Sequence, residues 1–287
     1  MVLKLDLVKA FDRVNWNFLR LLLIQIGIPL IGVNWIVGCV SSACFVVLVN
    51  GSPFDFFNAS RGIRQGCLLP PLLFILIIES LGRIILNAHL VGHITDYQYT
   101  PDLSITHLLF VDDVLLFGIG TVGEWKAYKE ALDLFCSATG MTVSIKKSSF
   151  LFQNVDPDIR NQIVVFLPYS MVHISEGFKY LGFRLKPLGY RSSDWNWLVV
   201  RFEKKIKHWY FVLLSLGGRV ILINVVLSGL AVYWFALARC PKSILNKLRK
   251  NIFLFLWGSS DGHNKLHLTS WESVSILVVY GGWDIKH

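Results

Sequence analysis

Residues 107–117 read HLLFVDDVLLF, with Asp112 and Asp113 side by side between two apolar runs. Burying an unpaired carboxylate costs several kcal/mol, and successive side chains of a strand point to opposite faces. An adjacent acidic pair inside a buried strand would therefore leave one charge in the core. At the tip of a hairpin that conflict disappears, because aspartate accepts turn conformations and only the arms are buried. Two carboxylates at one tip repel each other unless a cation neutralises them. Mg²⁺ is the expected neutraliser, a hard ion that takes oxygen ligands and keeps waters for substrate phosphates. A two-metal site needs a further carboxylate from elsewhere. Asp6 is the best candidate, since it ends the strand-like run VLKLDL just ahead of a chain reversal and a helix. Taken singly, an Asp-Asp pair is an ordinary solvated turn, and an Asp after a strand is an ordinary helix cap.

The elements that must position these carboxylates follow from periodicity and turn residues. VLKLDL reads as a strand. Residues 12–29 read as a helix, with Val14, Phe18, Leu22 and Ile26 at helical spacing and Gly27 and Pro29 closing it. A second helix is expected around 31–43, a hairpin at Asn50-Gly51, and a third helix opening at Pro70-Pro71. The quoted segment gives two short strands. GEWKAYKEALDLFCSATG is an amphipathic helix closed by Gly140, and TVSIKKSSFLF and FKYLGFRL read as strands. From about Trp195 the signals are helical, with breaks near Gly217-Gly218 and at Pro241. The expected organisation is an α+β region over 1–185, a helical basic region over 195–258 and a tail over 259–287.

The chain has 287 residues, 54% hydrophobic and only 16% charged, enough for a sizeable core. Its net charge of +9 is localised: residues 201–250 hold ten Lys or Arg and one Glu, and the rest of the chain balances. A basic excess confined to one segment is a footprint for nucleic acid or an anionic membrane. The five cysteines are odd in number and form no C-x-x-C, which argues against a disulfide framework or a zinc knuckle and for a reducing compartment. His89/His93 and His263/His267 have i, i+4 spacing but nothing to complete a metal site. The opening residues carry no signal peptide, so the expected location is intracellular, nucleus or cytoplasm, and not secreted. From Leu21 to Phe54 there is no charged residue. Gly, Pro and Ser break that run into pieces, which favours buried core over a membrane span of about 20 residues.

KLDLVKAFDRVNW, RGIRQGCLLPPLLF, HLLFVDDVLLF, GMTVSIKKSSF and YLGF resemble, in order, five successive palm motifs of reverse transcriptases, most nearly those of LINE-type, non-LTR retrotransposons of a kind common in plant genomes. Residues 217–258 resemble the thumb and connection that follow the palm. The resemblance implies a polymerase palm, an antiparallel sheet with packed helices, over 1–185 and a helical thumb over 195–258. It implies an RNA-directed DNA polymerase in which Asp6, Asp112 and Asp113 hold two Mg²⁺ ions, with Mn²⁺ a possible substitute. Phe11 matches the steric gate that selects deoxynucleotides. Arg61, Gln65 and Gly66 match the loop beside the incoming nucleotide and template. Lys147 matches a lysine near the leaving pyrophosphate, with Lys146 the alternative. Tyr180, Leu181 and Gly182 match the hairpin that grips the primer. Arg201, Lys204, Lys205, Lys207, Lys247, Arg249 and Lys250 would track the nucleic-acid backbone by charge. The implied partners are an RNA template, a DNA primer and deoxynucleoside triphosphates, and no membrane.

The chain departs from the family's pattern in places. It begins at the first palm motif without the fingers region, stops at GGWDIKH, and carries Leu68, Pro70 and Val111 where the family commonly has Pro, Ser and Ala. The expectation is a truncated retroelement copy with little or no activity alone. A non-catalytic nucleic-acid-binding remnant is the alternative reading, and a membrane protein a third.

Overall fold

The computed structural model describes residues 1–187, 189–210, 214–258 and 269–285. The His263/His267 pair and residues 259–268, 286 and 287 of the expected tail lie outside them. The chain divides into two compact units, Met1–Pro187 and Leu188–His287.

The first unit opens with strand β1 (Val2–Asp6), helix α1 (Ala10–Arg13), α2 (Trp16–Gln25) and α3 (Leu30–Ser41). Four two-residue strands follow: β2 (Cys44–Phe45), β3 (Leu48–Val49), β4 (Ser52–Pro53) and β5 (Phe57–Asn58). Then come α4 (Leu69–Leu90), β6 (Tyr97–Thr100), β7 (Leu103–Ile105), β8 (His107–Phe110), β9 (Asp113–Phe117) and α5 (Val122–Thr139). The unit closes with β10 (Ser149–Phe152), α6 (Pro157–Phe166), β11 (Ser170–His173), β12 (Phe178–Tyr180) and β13 (Phe183–Leu185).

One five-stranded sheet, in the order β11-β10-β1-β9-β8, organises the unit. β1 lies at its centre, antiparallel to both β9 and β10, while β10 and β11 run parallel. Alternation along β1 sends Leu3 and Leu5 into the core and Lys4 and Asp6 to the other face. Leu3 lies opposite Leu116 and Phe150, and Leu5 opposite Val114, so one face of three strands is continuous core. Leu19 and Leu23 of α2, Phe74, Ile77 and Leu81 of α4, and Trp125, Tyr128 and Phe135 of α5 bury themselves in the same core.

Local chemistry explains the boundaries. Asn15 accepts from the Asn17 N–H at 2.8 Å and caps α2. Prolines in its first turn open α4. Thr121 caps α5, and Gly140, at φ 76°, ends it. Asn50 and Gly51, at φ 48° and 84°, make the β3–β4 turn with both central residues left-handed.

Three expectations need correction. The helix expected over 12–29 is two helices with Val14 extended between them; Val14 is buried and Phe18 and Leu22 pack against the core as expected, but the fully buried residues of α2 are Leu19 and Leu23, and Ile26 is exposed. The strand expected over 142–152 is confined to Ser149–Phe152, because Ser148 donates its N–H back to Ser144 and turns the chain. The uncharged run 21–54 is not buried core: Leu21, Leu30, Ile31, Trp35, Val47, Leu48 and Phe54 are exposed, and Leu23, Val33 and Val40 alone are buried. A helix apolar on every side offers one stripe to a core, and two-residue strands never reach the sheet.

The second unit is helical: α7 (Asn196–Tyr210), α8 (Leu216–Leu222), α9 (Ser228–Leu237), α10 (Lys242–Trp257) and α11 (Trp271–Ser275). A π-helical segment, Ile223–Leu227, joins α8 to α9. Trp195, Leu198, Phe202, Ile206, Leu227, Ile244, Leu248 and Phe255 share its core. The break expected near Gly217-Gly218 falls just before them: α7 ends at Tyr210, Ser215 caps α8 by accepting from the Gly218 N–H, and the two glycines lie in the first turn of α8. Arg219 donates to the carbonyls of Phe255 and Leu256 at 3.0 and 3.2 Å, satisfying the C-terminal end of α10. Leu69–Leu90 and Leu216–Leu237 are long and apolar enough to cross a membrane, and the first of them is the central core helix of its unit.

Candidate active site

Asp6 is the last residue of β1 and Asp113 the first of β9, and the antiparallel register sets them directly opposite each other. Asp112 occupies the turn that leads into β9. Phe110 pairs with Asp113, so Val111 and Asp112 form a two-residue hairpin tip, open to solvent. The arms are held from below: the Tyr128 hydroxyl lies 2.6 Å from the Phe117 carbonyl and 3.0 Å from that of Thr106. Burial pushes the Tyr128 phenol far above its ordinary pKa, with Glu124 adding to the effect, so it remains a donor. At the tip, Val111 is left-handed at φ 53°. A β-branched residue there is strained, and such strain gathers where the surrounding structure over-determines a functional turn.

Asp6 is held on three sides. Its N–H donates to Ser148 Oγ at 3.1 Å, and its carbonyl accepts from the Ser144 N–H at 2.8 Å. Its Oδ1 lies 3.4 Å from Lys147 Nζ. The turn at 144–148 that interrupts the expected strand is what brings Lys147 to the carboxylate; Lys146 remains exposed. Asp113 has its pKa raised, chiefly by burial and further by Asp112 and Asp6, against the lowering effect of Lys4. Three acids press on one another at this end of the sheet, and their oxygens are the ligand type a hard divalent cation takes. Among the described residues no three His, Cys, Asp or Glu side chains already converge as a metal shell. In this arrangement it is a lysine that faces Asp6.

Phe11 lies in α1, five residues beyond Asp6, and stacks on Phe74 of α4 with ring centroids 4.4 Å apart. The loop carrying Arg61, Gln65 and Gly66 is stitched to the same helix. The Ile63 N–H donates to the Phe11 carbonyl and that of Gly62 to Val14, each at 2.8 Å, while Trp16 Nε1 donates to the Gly62 carbonyl at 2.7 Å. A Cβ on Gly62 would meet the Asp12 carbonyl oxygen at 2.8 Å, so this approach is closed to any other residue. Arg61, Gln65 and Gly66 themselves are exposed.

Tyr180, Leu181 and Gly182 form the tip of the β12–β13 hairpin, with φ 47° at Leu181 and 85° at Gly182. Burial raises the Tyr180 pKa, and the charge of Asp113 adds to the effect. Lys4 Nζ donates to the Lys179 carbonyl at 2.7 Å. Lys4, Ser148 and Tyr128 escaped the sequence reading. For Lys4 a signal existed, because a side chain two residues before Asp6 leaves the same face of a strand. For Ser148 and Tyr128 there was none.

In the second unit, Leu198, Phe202 and Ile206 bury one face of α7 and leave Arg201, Lys204, Lys205 and Lys207 exposed on the other. On α10, Lys247 and Lys250 are exposed. Arg249 differs, being half-buried with its guanidinium 5.4 Å over the Trp271 ring.

A family model described as reverse transcriptase (RNA-dependent DNA polymerase) matches residues 1–185. The chain belongs to the reverse transcriptase family. Among curated relatives, this reverse transcriptase is 27% identical over 264 residues to the Transposon TX1 uncharacterized 149 kDa protein of Xenopus laevis, a match covering 89% of this chain and 19% of the relative. It is 33% identical over 89 residues to the Putative ribonuclease H protein At1g65750 of Arabidopsis thaliana, covering 31% of this chain and 14% of that one. It is 39% identical over 67 residues to the Uncharacterized mitochondrial protein AtMg01250 of the same plant, covering 23% of this chain and 55% of the relative. The chain thus spans about a fifth of the Xenopus protein's length and less of the first Arabidopsis one. The recognition made from the motifs, a retrotransposon-type reverse transcriptase and by family an RNA-directed DNA polymerase, is borne out.

Proposed function

We propose that this reverse transcriptase chain carries a nucleotidyl-transfer centre built on Asp6, Asp112 and Asp113, which extends a DNA primer on an RNA template with deoxynucleoside triphosphates. The observation that carries this reading is the β1–β9 register, which sets Asp6 against Asp113 with Asp112 in the adjoining turn. Two Mg²⁺ ions, or Mn²⁺ in their place, held by these carboxylates would supply Lewis-acid stabilisation of charge at the attacking primer 3′-hydroxyl and the leaving pyrophosphate. Asp113, partly buried at the start of a strand, would offer a fixed oxygen pair, and Asp112, exposed at the open tip, would meet the substrate. Lys147, mostly exposed 3.4 Å from Asp6 Oδ1, would donate a proton to the departing pyrophosphate. The Phe11 ring, backed by Phe74, cannot yield to a ribose 2′-hydroxyl and so selects deoxynucleotides. Arg61, Gln65 and Gly66 line the nucleotide and template side, and Tyr180, Leu181 and Gly182 the primer side. Arg201, Lys204, Lys205, Lys207, Lys247, Arg249 and Lys250 bind the template–primer backbone by charge, with Arg249 contributing least because its guanidinium is stacked on Trp271.

The test is Mg²⁺-dependent primer extension on an RNA template by the full chain. Extension should vanish in Asp6→Asn, and Phe11→Ala should admit ribonucleotides. Extension that persists in Asp6→Asn would sink the carboxylate assignment. A second reading, nucleic-acid binding without catalysis, is favoured by the pairing of Lys147 with Asp6. Tight template–primer binding with no extension under either metal would select it.

A further inference from the structure

Among the described residues, neither strand of the β12–β13 hairpin pairs with the five-stranded sheet. Its strands are three residues each, and a two-stranded hairpin is marginal unless something outside holds it. Arg184 donates to the Glu176 carbonyl at 3.0 Å, but that bond closes the hairpin's own base and fixes nothing to the sheet. Among the described residues, one bond that does reach the sheet comes from Lys4 on the central strand, whose ammonium donates to the Lys179 carbonyl at 2.7 Å. Lys4 leaves the same face as Asp6, and its cross-strand neighbours are Leu115 and Ser149. Lys179 adjoins Tyr180, whose phenol feels the charge of Asp113. One side chain thus links the strand that bears Asp6 to the hairpin that bears Tyr180.

We propose that Lys4 is a positioning residue: its bond to the Lys179 carbonyl fixes the β12–β13 hairpin over the Asp6–Asp113 end of the sheet and so sets where a primer strand lies relative to the carboxylates. This rests on the reading of that hairpin as the primer-holding element and deepens it. A neutral side chain at position 4 removes the tether and, with it, the charge that lowers the Asp113 pKa. Arginine keeps a charged donor on a long stem and restores it.

The experiment is amide hydrogen exchange of the full chain, with template–primer affinity by fluorescence anisotropy as a second readout that needs no catalysis. In Lys4→Met, exchange across residues 178–185 should accelerate about tenfold or more, as expected for the loss of one hydrogen bond from a charged donor. Exchange in β1 and β9 should be unchanged. Affinity for a primed RNA template should fall while affinity for the unprimed RNA holds, and Lys4→Arg should recover both. If Lys4→Met loosens β1 and β9 as well, Lys4→Gln takes its place, with an intermediate acceleration confined to 178–185 expected. Unaltered exchange at 178–185 in these variants would overturn the tether. A loosened hairpin with unaltered primed-template affinity would overturn the positioning role. Absence of primer extension by the wild-type chain would strike only the catalytic reading, since exchange and affinity decide the tether without it.

Discussion

In Met1–Pro187 Asp6 and Asp113 stand at the end of one sheet, set opposite each other by strand register with Asp112 in the adjoining turn, and the pKa of Asp113 is raised chiefly by burial and further by Asp112 and Asp6. In Leu188–His287 Arg201, Lys204, Lys205, Lys207, Lys247 and Lys250 stand exposed on α7 and α10, on flexible stems above apolar stripes that fix only the helices, while Arg249 is half-buried. The first arrangement makes every residue singular, since a carboxylate displaced by about 1 Å can lower a rate about a hundredfold. The second is redundant under the proposed function, where phosphates would be met by shape and charge and one lysine could stand in for another. Chemistry is therefore expected to fail at single positions in the first unit, and binding to fade only by accumulation in the second.

The largest effect tests that redundancy. Changing Lys204, Lys205, Lys207, Lys247 and Lys250 together to Glu should weaken template–primer binding about a thousandfold at low salt and flatten its log–log salt dependence by about four units of slope. Fluorescence anisotropy across a salt series measures both. An unaltered slope would remove these helices from the interface. Any one of the five changes alone should be mild.

Singularity is tested by Asp112→Asn. One oxygen becomes an amide, and nucleotide addition should fall by about a hundredfold or more, because several kcal/mol of charge stabilisation are lost. Template–primer affinity should not change. Single-turnover extension alongside anisotropy separates the two, and a parallel loss of affinity would break the division of labour between the units.

Gly62→Ala tests the loop that carries Gln65 and Gly66. At φ 90°, with the Asp12 carbonyl 2.8 Å from a new Cβ, the residue has no room. A loss of about 2 kcal/mol is expected in the unfolding transition of the first unit, followed by urea titration. A neutral result would mean that the loop can part from α1.

The smallest effect concerns pH. The raised pKa of Asp113 means that the folded chain holds this proton more tightly than the unfolded chain. The associated stability is complete below the ordinary aspartate pKa and is lost as pH rises through the raised one. Asp113→Asn should abolish that decline, so its stability relative to the wild type should increase across mildly acidic pH. Urea midpoints at several pH values check the sign, and a wild type that gains stability over that window relative to the variant would reverse it.

Much of this molecule is local and was legible in the chain itself. Alternation in VLKLDL gave β1, Asn50-Gly51 gave a hairpin, Gly140 ended α5, and the apolar arms around Asp112-Asp113 required a tip, because these outcomes depend on backbone geometry within a few residues. The order of the five motifs alone identified the family. Only the tertiary structure could decide which neighbours each charge would meet. Nothing near Lys147 in the chain says that a turn at Ser144 aims it at Asp6, and nothing in KLD says that Lys4 reaches a carbonyl 175 residues away. Nor could periodicity tell which apolar residues of 21–54 stay exposed, since that depends on how much core surface the sheet and α4 leave open. Periodicity fixes the face a residue takes on its own element, but contacts between elements depend on loop paths and packing, which no short stretch of sequence contains.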